Sequence, residues 1–211
     1  VPLPPVERRR LQLLGPERLL LGDVESEHDD WRRERVRSLV GFLVVHPDTT
    51  RDAVMAALWP AADEESARRS LRSTLNLLLG VLEEGRTGGD AAYFVRADSA
   101  RLRLGGNDRL EVDVWRFDDL LEEADRLERD GAPTLARERL LAATELYRGD
   151  LLAGIQEGEW LHVERQRLHV RFVATAVRAG ELLLAHGRND EAIALASRTI
   201  TVEPWSEPAH A

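Results

Sequence analysis

The sequence has no cysteine among its 211 residues, which removes disulfides, zinc–thiolate sites, iron–sulfur clusters and thiol nucleophiles from consideration. It also has no lysine, so there is no P-loop lysine and no Schiff-base lysine, and all 29 basic residues are arginine. Aromatic residues are 5% of the chain, and Trp31, Trp59, Trp115 and Trp160 are scattered singly, as expected of core and junction anchors rather than of a base-stacking platform, which needs clustered exposed aromatics. Long hydrophobic runs are missing as well. The longest, Leu39 to Val45, is far short of the roughly 20 residues of a membrane span, and Val1-Pro2-Leu3-Pro4-Pro5 has no signal-peptide core. With Met55 the only methionine, the start at Val1 leads to the expectation of a processed or excised chain. There is no Gly-rich nucleotide loop, nucleophile elbow or paired-histidine zinc helix. Glu159-x-x-His162 has the spacing of half a di-iron helix pair, without a second copy. The expectation is a cytoplasmic protein that is not an enzyme, with no cofactor, no metal and no membrane partner.

Charge divides the chain unevenly. Residues 1–110 carry a net −1 and residues 111–211 a net −8, within a total of −9. Such asymmetry points to two parts with different tasks. An acidic protein repels phosphate overall, yet a near-neutral half binds DNA if its arginines gather on one face.

Local patterning organises the chain. Residues 1–10 are Pro-rich and then charged, and are expected to be a disordered lead-in. Leu11–Leu14 and Leu19–Leu21 are short apolar runs punctuated by Gly15-Pro16 and Gly22-Asp23, as in strands and turns. Trp31, Arg35, Leu39, Phe42 and Leu43 fall at helical spacing before His46-Pro47, and Thr50 caps a short helix that Pro60 ends. Asp63 then caps a helix in which Ala67, Leu71, Leu75, Leu78 and Leu82 form one apolar stripe. A loop at Gly85–Gly89 precedes two strands, Tyr93–Arg96 and Arg101–Leu104, joined at Asp98-Ser99. Gly105-Gly106-Asn107 is the expected boundary, giving one domain at 11–108 and another at 109–211.

The second domain reads as all helix, at about 115–130, 133–148, 160–186 and 189–203. Gly180, Leu183, Gly187, Ala192, Ala196 and Pro204 sit at tetratricopeptide-repeat offsets, where small residues let paired helices approach. The ending Glu207-Pro208-Ala209-His210-Ala211 resembles the entry to a further helix.

Strands, three helices and a hairpin in this order describe a winged helix-turn-helix, whose third helix enters the major groove and whose hairpin is the wing. Behind the apolar stripe stand Arg68, Arg69, Arg72, Ser73 and Asn76, residue types suited to phosphate, guanine and adenine edges. Arg101 and Arg103 share the outer face of the wing strand. These seven residues are the candidate contacts to double-stranded DNA. The competing possibility is a solvated arginine face paired with Asp63, Glu64 and Glu65. Arg32, Arg33, Arg35 and Arg37 are expected to be a solvated face.

The whole order, from about Leu11 onward, resembles the Streptomyces antibiotic regulatory proteins, an OmpR-type winged helix followed by a bacterial transcriptional activator domain. The marks are Arg35-Val36-Arg37-Ser38-Leu39 with His46-Pro47, Ala57-Leu58-Trp59-Pro60, Ala67-Arg68-Arg69-Ser70-Leu71-Arg72, Val112-Asp113-Val114-Trp115-Arg116-Phe117, and Leu146-Tyr147-Arg148-Gly149-Asp150-Leu151-Leu152 with Trp160 beyond. The resemblance implies a mostly α fold with small β elements, tetratricopeptide-like helices, promoter binding at direct repeats and recruitment of RNA polymerase. One departure stands out. Leu77, Leu79 and Gly80 replace residues that are commonly basic in the family, and Leu77 and Leu79 lie off the stripe, which predicts that they are exposed. A second function therefore stays open: a protein-interaction or autoregulatory module of a larger signalling protein that does not bind DNA. In either case the helical domain is a candidate for homodimer formation or another protein contact.

Overall fold

The computed structural model describes residues 8–83, 93–105, 108–156 and 158–202. Alternation of buried and half-buried residues marks β1 (Arg9–Gln12), which pairs antiparallel with β2 (Arg18–Leu21), Leu11 opposite Leu19. β3 (Val24–Glu25) extends this sheet, and a 3-10 turn (Asp29–Arg32) leads to α1 (Glu34–Val45). Trp31, expected to open that helix, sits instead in the 3-10 turn, buried, because the His28 side chain caps Asp30 there. β4 (Asp48–Thr50) precedes α2 (Arg51–Leu58), capped by Thr50 as its hydroxyl accepts from the Ala53 N–H. α3 (Glu64–Leu82) follows, and then the hairpin of β5 (Val95–Ala97) and β6 (Arg101–Leu104), which pairs with β4 in the order β4-β6-β5.

The 1–10 lead-in needs correcting at its end: β1 begins at Arg9, whose guanidinium is buried and donates to the Leu82 carbonyl at the end of α3. Residues 1–7, the Gly85–Gly89 loop, Gly106-Asn107, Pro204 and the 207–211 ending lie outside the described residues.

β7 (Leu110–Val112) joins β1 in parallel, so the first sheet runs β3-β2-β1-β7 and carries the chain into the helical half. There α4 (Asp113–Arg129), α5 (Pro133–Leu146), α6 (Glu159–Ala185) and α7 (Asn189–Val202) pack in sequence, each against the next. These spans agree with the helical periods to within two residues. Pro133 takes the first turn of α5, where a missing N–H costs nothing. Gly187 ends α6 at φ +70°, a conformation other residues rarely adopt. The close-packing reason offered for the repeat positions holds at Ala192 and Leu183, which are buried, but not at Gly180, where a side chain would meet open space, nor at Ala196, which is exposed.

The two halves share one continuous apolar core. Asp113 is the polar hub between them. Its buried carboxylate accepts from the backbone N–H groups of Leu13, Leu14 and Val114 and from Arg148 at 2.9 Å. Burial pushes this carboxyl up to about 6, against the pull of those donors. The segment after α5 straps onto the first sheet: Leu152 N–H donates to Leu13 at 2.8 Å and Gly15 N–H to Asp150 at 3.0 Å. Leu152 holds φ +52°, unusual for leucine, and its side chain fills the space where any side chain at Gly41 would stand. Arg165 fixes the strap by donating to the Leu151, Leu152 and Ile155 carbonyls. Trp115 donates to the Val44 carbonyl at 2.9 Å, and Trp160 meets Phe42 edge-on at 5.2 Å, so both tryptophans anchor the junction. No helix of the described residues is long and apolar enough to cross a membrane.

Candidate nucleic-acid interface

α3 begins where the Asp63 carboxylate accepts from the Ser66 N–H at 2.9 Å, bonds that hold Asp63 below the usual carboxylate range. Glu64 and Glu65 then occupy the first turn, the end of the helix dipole that favours acids. One face buries Ala67, Leu71, Thr74, Leu75, Leu78, Val81 and Leu82, which fixes the rotation of the helix. Arg68, Arg69, Arg72, Ser73 and Asn76 are all exposed on the remaining surface, as the stripe predicts.

Their freedom differs. Arg68 pairs with Glu64, and Arg69 with Glu65 at 3.0 Å, each one turn along the helix and solvated. Among the described residues Arg72, Ser73 and Asn76 form no side-chain hydrogen bond or ion pair. The alternative of an internally paired arginine face is therefore realised at two positions of the helix and not at its centre.

On the wing, Leu102 and Leu104 are buried and Arg101 and Arg103 point outward. The turn is closed by Asp98, whose carboxylate accepts from the Ala100 and Arg101 N–H groups at 2.8 and 2.7 Å. Arg101 and Arg103 converge on Asp48 of β4, with Nε–Oδ1 distances of 2.8 and 3.1 Å, and hold that carboxyl below its ordinary value. The wing and helix groups form no bond with each other among the described residues.

One wing residue escaped the sequence reading. Arg96 is exposed on β5 directly opposite Arg103. Like charges across a strand pair destabilise the hairpin unless something anionic lies over them. The Val95-Arg96 alternation was the available signal.

Two expectations are corrected. Leu77 and Leu79 are not exposed but half-buried against the core. Leu77 borders a crevice with Arg33, Glu34, Arg35 and Val36 and with Gly154 and Gln156 of the strap, a cover that helical periodicity cannot foresee. Gly80 alone of the three is exposed. Nor are Arg35 and Arg37 a simple solvated face. Arg35 donates to the Leu58 carbonyl at 2.9 Å, and Arg37 pairs at 3.1 Å with Glu17, which is nearly inaccessible and also accepts from the Gly154 N–H.

Residues 112–211 match the bacterial transcriptional activator domain family, a family of regulators rather than enzymes. No curated protein sequence gives a significant match. Among solved structures the chain is similar to Mycobacterium tuberculosis EmbR, solved in complex with a low-affinity phosphopeptide, with a TM-score of 0.76 at 22% identity over 93% of this chain. The chain spans about half of that one, 54%. Covering 93% of the chain, the likeness extends over both halves. Residues 112–211 thus match a bacterial transcriptional activator domain, and the fold they share with the strands and helices before them is like that of EmbR.

Proposed function

We propose that this chain is a sequence-specific DNA-binding transcriptional regulator of the cytoplasm, acting as an activator. In this reading the winged helix occupies 11–108 and the activator domain 109–211. α3 enters the major groove, where Arg72 and Asn76 reach base edges and Arg68, Arg69 and Ser73 reach phosphate. Arg101 and Arg103 of the wing, joined by Arg96, lie along the backbone or minor groove. The helical half contacts RNA polymerase or a second copy of the chain.

The observation that carries the reading is the centre of α3: an adjacent arginine and serine with an asparagine one turn on, exposed and uncommitted, on a helix whose other face is locked into the core. The experiment selects duplexes from a random double-stranded library and titrates the best of them with wild type, Arg72→Ala and Asn76→Ala. Each substitution is expected to cost about 1–3 kcal/mol and to relax specificity at one position. Unchanged binding in both would overturn the assignment. The partner-module alternative loses one of its supports with the half-burial of Leu77 and Leu79.

A further inference from the structure

The outer face of α6 carries an apolar seam that no element of the described chain covers. Val163, Val170, Val177 and Leu184 recur at seven-residue steps, each between 54% and 60% exposed. They are half of the large hydrophobic residues that the described chain leaves exposed. The opposite face of the helix is fully employed, with Leu161, Leu168, Phe172, Ala179 and Leu183 buried. Its flank is held as well, Arg171 by Asp118 and Arg178 by Asp125 and Glu128 of α4. At its start the seam is continuous with an open groove of about 940 Å³, which Val163 lines together with Trp59 and Trp160.

A strict seven-residue step drifts about 20° per repeat on a straight helix, so the seam winds slowly around α6. The surface that fits it is another helix crossing at about 20°. From Val163 to Leu184 the seam runs about 32 Å.

We propose that the seam pairs, antiparallel, with the same helix of a second copy of this chain. Charge selects the occupant and its direction. Arg167, which pairs on its own helix with Glu164 at 2.7 Å, and Glu181 are exposed beside the seam, nearly equidistant from its midpoint at Val173-Ala174. An antiparallel two-fold pair sets Val163 against Leu184 and Val170 against Val177, and it places Arg167 against Glu181 twice. A parallel pair leaves Arg167 of one copy about 21 Å along the axis from Glu181 of the other and makes neither contact. Exposed Ala174 at the midpoint lets the helices approach at the axis. A single-helix seam falls at the small end of stable interfaces, so the dimer has micromolar affinity rather than being obligate.

This specifies the self-association within the proposed function. It is tested without DNA, so its failure leaves the DNA-binding reading standing. Sedimentation velocity of the 211-residue chain over roughly 1–200 µM is expected to show a monomer–dimer equilibrium. Val170→Glu with Val177→Glu should weaken it at least tenfold without moving the thermal melt, since both side chains are exposed. Arg167→Glu alone should weaken it, and Arg167→Glu with Glu181→Arg should restore it, a rescue that general misfolding does not produce. Because the chain has no cysteine, single cysteines report the direction. Ala174→Cys should oxidise to a covalent dimer. Leu184→Cys should not, since the two copies of that position lie about 30 Å apart in the antiparallel pair, beyond disulfide reach. A monomer across the whole range, a dimer indifferent to the valine substitutions, or cross-linking through Leu184→Cys would each overturn the proposal.

Discussion

Glu64 and Glu65 hold two of the candidate DNA contacts, and releasing them tests the interface in the direction of gain. The double substitution Glu64→Gln, Glu65→Gln removes the partners of Arg68 and Arg69 and leaves the stripe that seats α3 untouched. Solvated pairs one helical turn apart contribute about 0.3–0.5 kcal/mol each, and acids in a first turn a further 0.3–1 kcal/mol each. The expected loss of stability is therefore about 2 kcal/mol, small enough to leave the protein folded. The gain is electrostatic. Two arginines freed for phosphate steepen the dependence of log K on log salt by up to about 1.8. At 0.1 M salt, relative to 1 M, this amounts to at most roughly 60-fold in affinity. The assay is a fluorescence titration of a library-selected duplex across a salt series, with circular dichroism confirming the helix content. Unchanged affinity and slope in a folded variant would remove Arg68 and Arg69 from the interface and refute the docking of α3 through its first two turns.

Asp48→Asn acts in the same way on the wing. It releases Arg101 and Arg103, and the salt slope for the selected duplex should steepen by about 1, whereas an unaltered slope would take the wing off the DNA. Gly41→Val pushes a side chain into the Leu152 side chain at the junction of the halves, and urea denaturation should show a loss of about 1–3 kcal/mol. Full stability would mean that the strap moves aside freely. Asp113 gives a pH dependence. Its folded value near 6 lies above the ordinary value of 3.8, so the unfolded chain ionises first. The contribution of Asp113 to stability is fully present below pH 4 and falls by about 3 kcal/mol as pH rises through 6. Urea denaturation of wild type against Asp113→Asn between pH 4 and 7 should show this slope in wild type alone. A rise in its place would mean that the N–H donors and Arg148 outweigh burial.

What the sequence reveals here is what repeats locally. α3 and the four helices after residue 112 are readable because amphipathic periods accumulate over many turns, and the wing strand because Leu102 and Leu104 alternate with arginines. β4 and β7 are not readable in that way. Each has three residues, and their existence depends on partners far along the chain: β6 for β4, and β1 for β7. The same limit hides the charges. The Arg68–Glu64 and Arg69–Glu65 pairs lie one turn apart and belong among the alternatives from the start, but Arg101 finds Asp48 across 53 residues. Asp113 stands in a recognisable motif, yet its task of satisfying Leu13 and Leu14 is set 100 and 99 residues away. Leu77 and Leu79 fail for a related reason: a helical wheel separates core from solvent for an isolated helix, not for one that a neighbouring element also covers.

The internal pairing bears on how such a protein finds its site. Asp63, Glu64 and Glu65 balance Arg68, Arg69 and Arg72, so α3 approaches DNA with no net charge, and Arg101 and Arg103 of the wing arrive already shared with Asp48. Little non-specific attraction is left, since that term is almost wholly electrostatic. Discrimination then rests on the uncommitted Arg72 and Asn76 at base edges, a small set for one copy of the chain. Two copies multiply it. A pair joined two-fold through α6 presents its recognition helices to inverted half-sites, because a two-fold axis reverses one copy relative to the other. Direct repeats, which the family resemblance implies, require copies arranged head to tail. The selected duplexes therefore report on more than base preference. Inverted half-sites that lose their spacing requirement in the Val170→Glu, Val177→Glu variant would tie the seam on α6 to recognition, and direct repeats indifferent to that variant would place the seam outside it.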